Sequence, residues 1–81
     1  MSEERLKFLG RRSELELKKK NLSLRIESQV SALRDALDPL KPIPDLRTDA
    51  IVSAALDLAD ACDRYREVTA DLQKIADILG R

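Results

Sequence analysis

The stretch IVSAALDLADACDRYREVTADLQKIADIL, residues 51–79, decides the fold of this 81-residue chain. Two sets of residues repeat along it at intervals of seven, and the second set follows the first by three positions. The first set is Ile51, Leu58, Tyr65, Leu72 and Leu79, and the second is Ala54, Ala61, Val68 and Ile75. Apolar residues at this spacing form one seam along an α-helix. The stretch therefore predicts a long helix that packs against another helix.

A second apolar stripe runs through the first half of the chain and predicts a helix over residues 3–38. Ser2 with Glu3 and Glu4 marks its start, because a serine caps free N–H groups and carboxylates suit the positive end of the helix dipole. Lys19 falls on the stripe, where its methylenes can cover apolar surface while its ammonium group reaches water. The stripe consists of Phe8, Leu15, Leu22, Ile26, Val30, Leu33 and Leu37.

Gly10 leaves two interpretations of the first helix. Glycine in a helix interior costs about 1 kcal/mol relative to alanine, and Ser13 with Glu16 fits a capping box three residues later. The first helix then either starts at Ser13, after a short separate helix, or runs through Gly10. We favour the continuous helix, because Phe8 and Leu15 stay in phase on the stripe.

Three prolines, at positions 39, 42 and 44, end the first helix and predict a turn over residues 39–45. We expect Leu40 and Ile43 to fold back over the end of the hairpin. The second helix then covers residues 46–79, capped by Asp45 or Thr48 and stopped by Gly80. Two long helices with a short connection lie antiparallel. The prediction is an all-α fold, a single antiparallel two-helix hairpin domain over residues 1–81.

Side-chain sizes predict how the two helices align. Large residues of the first helix then face small residues of the second near the turn, as in interdigitating layers. In this register Leu15 meets Leu72, Leu22 meets Tyr65, and Ile26 meets Ala61.

Each helix also carries apolar residues away from the seam, and these predict an interface between copies. Leu6, Leu17 and Leu24 lie nearly opposite the main stripe of the first helix, and Val52, Leu56 and Ala59 lie off the seam of the second. A lone hairpin covers one stripe per helix, and aligned exposed apolar residues indicate an interface. We expect a homodimeric four-helix bundle in which two hairpins meet head to tail.

The composition argues against an enzyme. The chain has no histidine and one cysteine, Cys62, so neither a Cys–His pair nor a Ser–His–Asp triad can form. Asp57, Asp60 and Asp63 share a helix face but form no closed set of metal ligands, and we interpret them as a solvated acidic face. We expect Cys62 to be packed as a small apolar residue. No cofactor and no metal site are predicted.

The strongest candidate for ligand binding is a basic run on the first helix, made of Arg11, Arg12, Lys18, Lys19, Lys20 and Arg25. Such a run can contact phosphates without sequence preference, which makes a weak nucleic-acid-binding accessory protein the alternative function. Glu14 and Glu16 dilute the run and the net charge is zero, so we favour a solvated, internally paired face.

The predicted function is a non-enzymatic protein-interaction module, a homo-oligomeric bundle that acts as an adaptor or regulatory scaffold. Its expected partners are itself and another protein. The acidic, polar N-terminus, the absence of a long apolar run and the single cysteine predict a cytoplasmic location without membrane insertion. Chain length and helix content are similar to those of many small adaptor proteins of bacteria and their phages, and no motif identifies a family.

Overall fold

The structure, a computed structural model, describes residues 2–80. It contains two long helices, α1 (Glu3–Ala36) and α2 (Thr48–Leu79), with a short 3-10 helix at Ile43–Asp45 between them. The helices pack against each other, and no strand occurs in residues 2–80. The Arg5 guanidinium donates a hydrogen bond of 3.3 Å to the Leu79 carbonyl, so the start of α1 lies beside the end of α2. The predicted all-α antiparallel hairpin is confirmed.

Helix α1 begins as predicted and runs through Gly10 without a break. The Ser2 hydroxyl accepts the Arg5 N–H at 3.2 Å, which satisfies one of the free donors of the first turn. A Cβ added at Gly10 meets nothing within 4 Å. Gly10 is therefore an exposed position in a continuous helix, and Ser13 is not a cap.

Helix α1 ends at Ala36, two residues before the predicted boundary. Asp38 precedes a proline and is disfavoured in the helical region, and Leu37 already departs from it with φ −99° and ψ 17°. Asp38 then forms a turn in which its carboxylate accepts the Leu40 N–H at 2.9 Å and its carbonyl accepts the Lys41 N–H at 3.0 Å.

The prediction that Leu40 and Ile43 fold back over the end of the hairpin is wrong. Leu40 is 89% exposed and Ile43 is 83% exposed. The hydrogen bonds of this connector join residues two or three positions apart, so they fix the local turns without drawing either side chain back onto the helices.

The predicted cap of α2 is also wrong. Asp45 belongs to the 3-10 helix, Leu46 is extended, and the capping position is occupied by Arg47, whose side chain makes no capping bond. The helix thus starts two residues later than predicted and relies on packing rather than on a side-chain cap. Its end at Leu79, followed by Gly80, is as predicted.

The core lies between the seams of the two helices, mostly at the open end of the hairpin. Five of residues 2–80 are buried: Leu15, Leu22, Ala61, Val68 and Ile75. Phe8, Tyr65, Leu72 and Leu79 pack against this cluster. The predicted partners Leu15 and Leu72, and Leu22 and Tyr65, therefore share one core.

Toward the connector the seam is less well covered. Ile51, Ala54 and Leu58 are only half-buried. Leu37, the last member of the predicted stripe, is 53% exposed because α1 has ended before it. The two helices therefore bury more of the seam at the open end of the hairpin than near the connector.

Candidate oligomer interface

The hairpin exposes much more surface than a globular protein of its size. Its accessible surface is 6426 Å² for 9.1 kDa, whereas a compact folded monomer of this mass exposes about 4,900 Å². The radius of gyration is 18.4 Å, against about 12 Å for a compact chain of this length. The excess follows from the elongated shape of two helices packed side by side, which measures 63 × 15 × 14 Å. A second layer of helices is the usual way to cover such a surface.

The residues predicted to form the oligomer interface are all exposed. The five larger side chains, Leu6, Leu17, Leu24, Val52 and Leu56, are 54–67% exposed, and Ala59 is exposed as well. They lie on the outer positions of their helices, as the helical period requires. Their own hairpin therefore leaves them largely uncovered.

One side of the hairpin carries a row of neighbouring hollows along a groove, and we call this side the groove face. One hollow, of about 660 Å³, lies between Arg12 and Leu24 on α1 and Tyr65 and Ala76 on α2. A second hollow shares Ser23 and Tyr65 with it, and a third shares Ile26 and Glu27 with the second. Together they extend along α1 from Arg12 to Asp35.

The groove face has few charges on α2. Ala55, Cys62, Thr69 and Ala76 recur every seven residues beside the seam, and all are small and uncharged. The corresponding positions of α1 are Leu9, Glu16, Ser23, Val30 and Leu37. Small side chains allow a second helix to approach closely.

The opposite side of the hairpin, which we call the charged face, differs at the matching positions. Its α1 positions are Arg11, Lys18 and Arg25, and its α2 positions are Asp57, Arg64 and Asp71. A shallow hollow there is lined by Lys18, Arg25 and Arg64. The two sides of the hairpin thus offer different surfaces to a partner.

The structure does not bring the predicted basic run together as one patch. Arg11 pairs with Glu14 at 3.4 Å and Arg12 with Glu16 at 3.9 Å, so two of the six cations have acidic neighbours on their own helix. The Lys19 ammonium lies 5.8 Å from the centre of the Tyr65 ring, in cation–π range.

The other three cations of the run separate to opposite sides. Lys20 lines the groove, whereas Lys18 and Arg25 line the hollow on the charged face. The helical winding therefore divides the run between two sides of the hairpin.

The remaining chemically distinctive residues are the cysteine and the acidic triplet Asp57, Asp60 and Asp63 of α2. Cys62 is a free, half-buried thiol that lines the groove. Asp60 pairs with Arg64 at 3.2 Å and Asp63 with Arg66 at 3.0 Å, so two carboxylates of the acidic triplet are engaged in ion pairs. Within residues 2–80, no group of three or more histidine, cysteine or acidic residues is arranged to hold a metal ion.

Comparisons with protein-family models, with curated proteins and with solved structures find no match to this chain. No helix within residues 2–80 has both the length and the apolar character needed to cross a membrane.

Proposed function

We propose that this chain is a non-enzymatic interaction module that self-associates into a four-helix bundle and serves as an adaptor or regulatory scaffold. The observation that carries the proposal is the uncovered apolar surface. More than half of the surface of Leu6, Leu17, Leu24, Val52 and Leu56 is exposed, while only five of residues 2–80 are buried.

The size of this surface supports self-association. The hairpin exposes roughly 1,500 Å² more than a compact monomer of its mass. Two copies that each cover this excess bury about 3,000 Å² in total, which is the range of obligate homodimers. Below about 80 residues, a single core seldom supplies more than a few kcal/mol, and oligomerisation is one of the common remedies.

The assembled bundle then presents its outer surface to a second protein. We place the assembly in the cytoplasm, because a reducing compartment keeps a free cysteine such as Cys62 in the thiol form. Neither a cofactor nor a metal is part of the proposed function.

Sedimentation equilibrium of the wild-type chain over a micromolar concentration series tests the proposal. We expect a mass of at least two 9.1-kDa chains. As a control, the double variant Leu17→Ala, Leu24→Ala should shift the series toward one chain while circular dichroism still reports a helical protein. A wild-type mass of one chain throughout would refute self-association.

The alternative function, weak binding of nucleic acid by the basic run, is tested by the same preparation. A wild-type gel shift at about 50 mM salt that weakens steeply as salt rises would favour it. We expect no shift, because the run is divided between the groove face and the charged face and two of its arginines are paired.

A further inference from the structure

We propose that the second copy lies on the groove face, head to tail, about a two-fold axis that passes close to Ser23 and Leu24. This inference rests on the self-association proposed above and specifies its surface. This surface is not simply the set of exposed apolar residues opposite each seam. It is centred on the groove between the two helices.

The charges decide which side of the hairpin receives the second copy. In a head-to-tail two-fold bundle, α1 packs against the partner's α1 and α2 against the partner's α2. On the charged face, this arrangement would oppose two rows of arginine and lysine, formed by Arg11, Lys18 and Arg25 of each copy. On the groove face, α1 instead offers both signs of charge, Lys20 and Glu27, along the edge of the groove.

Lys20 and Glu27 also fix the position of the axis. An axis near Ser23 and Leu24 lies midway between them, so each Lys20 meets the partner's Glu27. The two residues are two helical turns apart, both are exposed, and neither takes part in an ion pair among the described residues of its own chain. Opposite charges across a helix interface favour one orientation and one register.

The same axis aligns apolar residues at the ends of α1. It places Leu9, which is half-buried, opposite the partner's Leu37, which is 53% exposed in the single chain. It also brings Leu6 toward the partner's connector, where Leu40 and Ile43 lie uncovered. Leu6, Leu9 and Leu37 thus find apolar neighbours on a second copy.

Helix α2 contributes a surface that accepts a like helix without repulsion. Its positions beside the groove are Ala55, Cys62, Thr69 and Ala76, and its outer apolar residue Val52 falls opposite the partner's Ala76 with this axis. Arg66 is the only α2 cation among the residues that line the three hollows of the groove. It falls opposite the partner's Cys62, which is uncharged.

Charge exchange between Lys20 and Glu27 tests the inference. Lys20→Glu alone and Glu27→Lys alone each place like charges opposite each other twice per dimer, and we expect each to weaken dimerisation about tenfold. An equimolar mixture of the two variants should restore near-wild-type affinity as a heterodimer, because every Glu then faces a Lys. Native mass spectrometry and sedimentation equilibrium measure both effects.

Lys18→Glu is the matched control, since it makes the same charge change on the same helix but on the charged face. It should leave the dimer affinity within about threefold of wild type. If the wild-type chain dimerises but the mixture forms no preferred heterodimer, or if Lys18→Glu weakens the dimer as much as Lys20→Glu, the groove-face arrangement is overturned while self-association stands. A wild-type chain that stays monomeric overturns both.

Discussion

Truncation of Leu24 to alanine should weaken the dimer about a hundredfold. The change removes three carbons that are worth about 0.8 kcal/mol each when fully buried, or about 2.4 kcal/mol. Leu24 is 56% exposed in the single chain, so about 1.3 kcal/mol of that sum is gained only when a partner buries the side chain. A two-fold dimer contains the substitution twice, which gives about 2.7 kcal/mol and hence the hundredfold increase in the dissociation constant.

The assay is sedimentation equilibrium over a dilution series of wild type and variant, with circular dichroism to follow helicity. Alanine has the highest helix propensity, so the helices themselves should not suffer. Leu17→Ala is the companion variant: Leu17 is 61% exposed and lies seven residues before Leu24 on the same side of α1. We expect it to weaken the dimer as well.

Two results would refute this reasoning. A Leu24→Ala dissociation constant within about threefold of wild type would mean that no partner covers this side chain. A loss of affinity for Leu17→Ala alone would mean that the partner covers this side of α1 in a different register.

Four further predictions concern single positions. Leu15→Ala removes a side chain that is 2% exposed from a small core and should cost about 2–5 kcal/mol in urea unfolding; a loss below 1 kcal/mol would contradict the core assignment. Gln29→Leu should raise the free energy of unfolding by about 1 kcal/mol, because the amide oxygen is buried without a hydrogen-bond partner. A lower urea midpoint would argue that the amide forms a hydrogen bond when two copies assemble. Gly10→Ala should also stabilise by up to about 1 kcal/mol, as nothing lies within 4 Å of the added methyl group; destabilisation would place a partner there. Maleimide labelling of Cys62 should slow as protein concentration rises, since the thiol lines the groove, and a rate independent of concentration would count against a covered groove.

The helices could be predicted from the sequence because their signal is repeated many times. Val68 and Ile75 are buried as members of a seven-residue repeat, and an error at one position does not alter the phase of the others. The exposure of Leu17 and Leu24 follows from the same phase, since a residue opposite the seam cannot contact the other helix of a hairpin.

The connector could not be predicted in the same way. Its prolines fix local backbone angles and end α1, but they do not specify what Leu40 and Ile43 pack against. Large apolar side chains usually find cover within a chain, and this expectation fails for these two residues. The turn at Asp38 satisfies its own hydrogen bonds, so the connector is well defined even though both side chains are exposed.

The groove face was missed although its signal was present. Ala55, Cys62, Thr69 and Ala76 repeat every seven residues, but small side chains add little hydrophobicity and do not stand out beside leucines. The basic run shows how helix geometry separates residues that are close in the sequence. Lys18 and Lys20 are adjacent in the sequence, yet residues two apart on a helix project to different sides, and the structure assigns them to different faces.

In the proposed dimer, the distribution of charge requires local contacts, and not overall attraction between helices, to hold the two copies together. Helix α1 has nine basic and six acidic residues, and α2 has three basic and seven acidic. This difference favours the packing of α1 against α2 within the hairpin. In a head-to-tail dimer, however, α1 packs against the partner's α1 and α2 against the partner's α2. Since charges more than about 8 Å apart are screened at physiological salt, the net repulsion between like helices is small compared with apolar burial and with Lys20–Glu27 pairs in direct contact. In the proposed dimer, the apolar residues along the groove face therefore supply the affinity, and the alternating charges of Lys20 and Glu27 select the register.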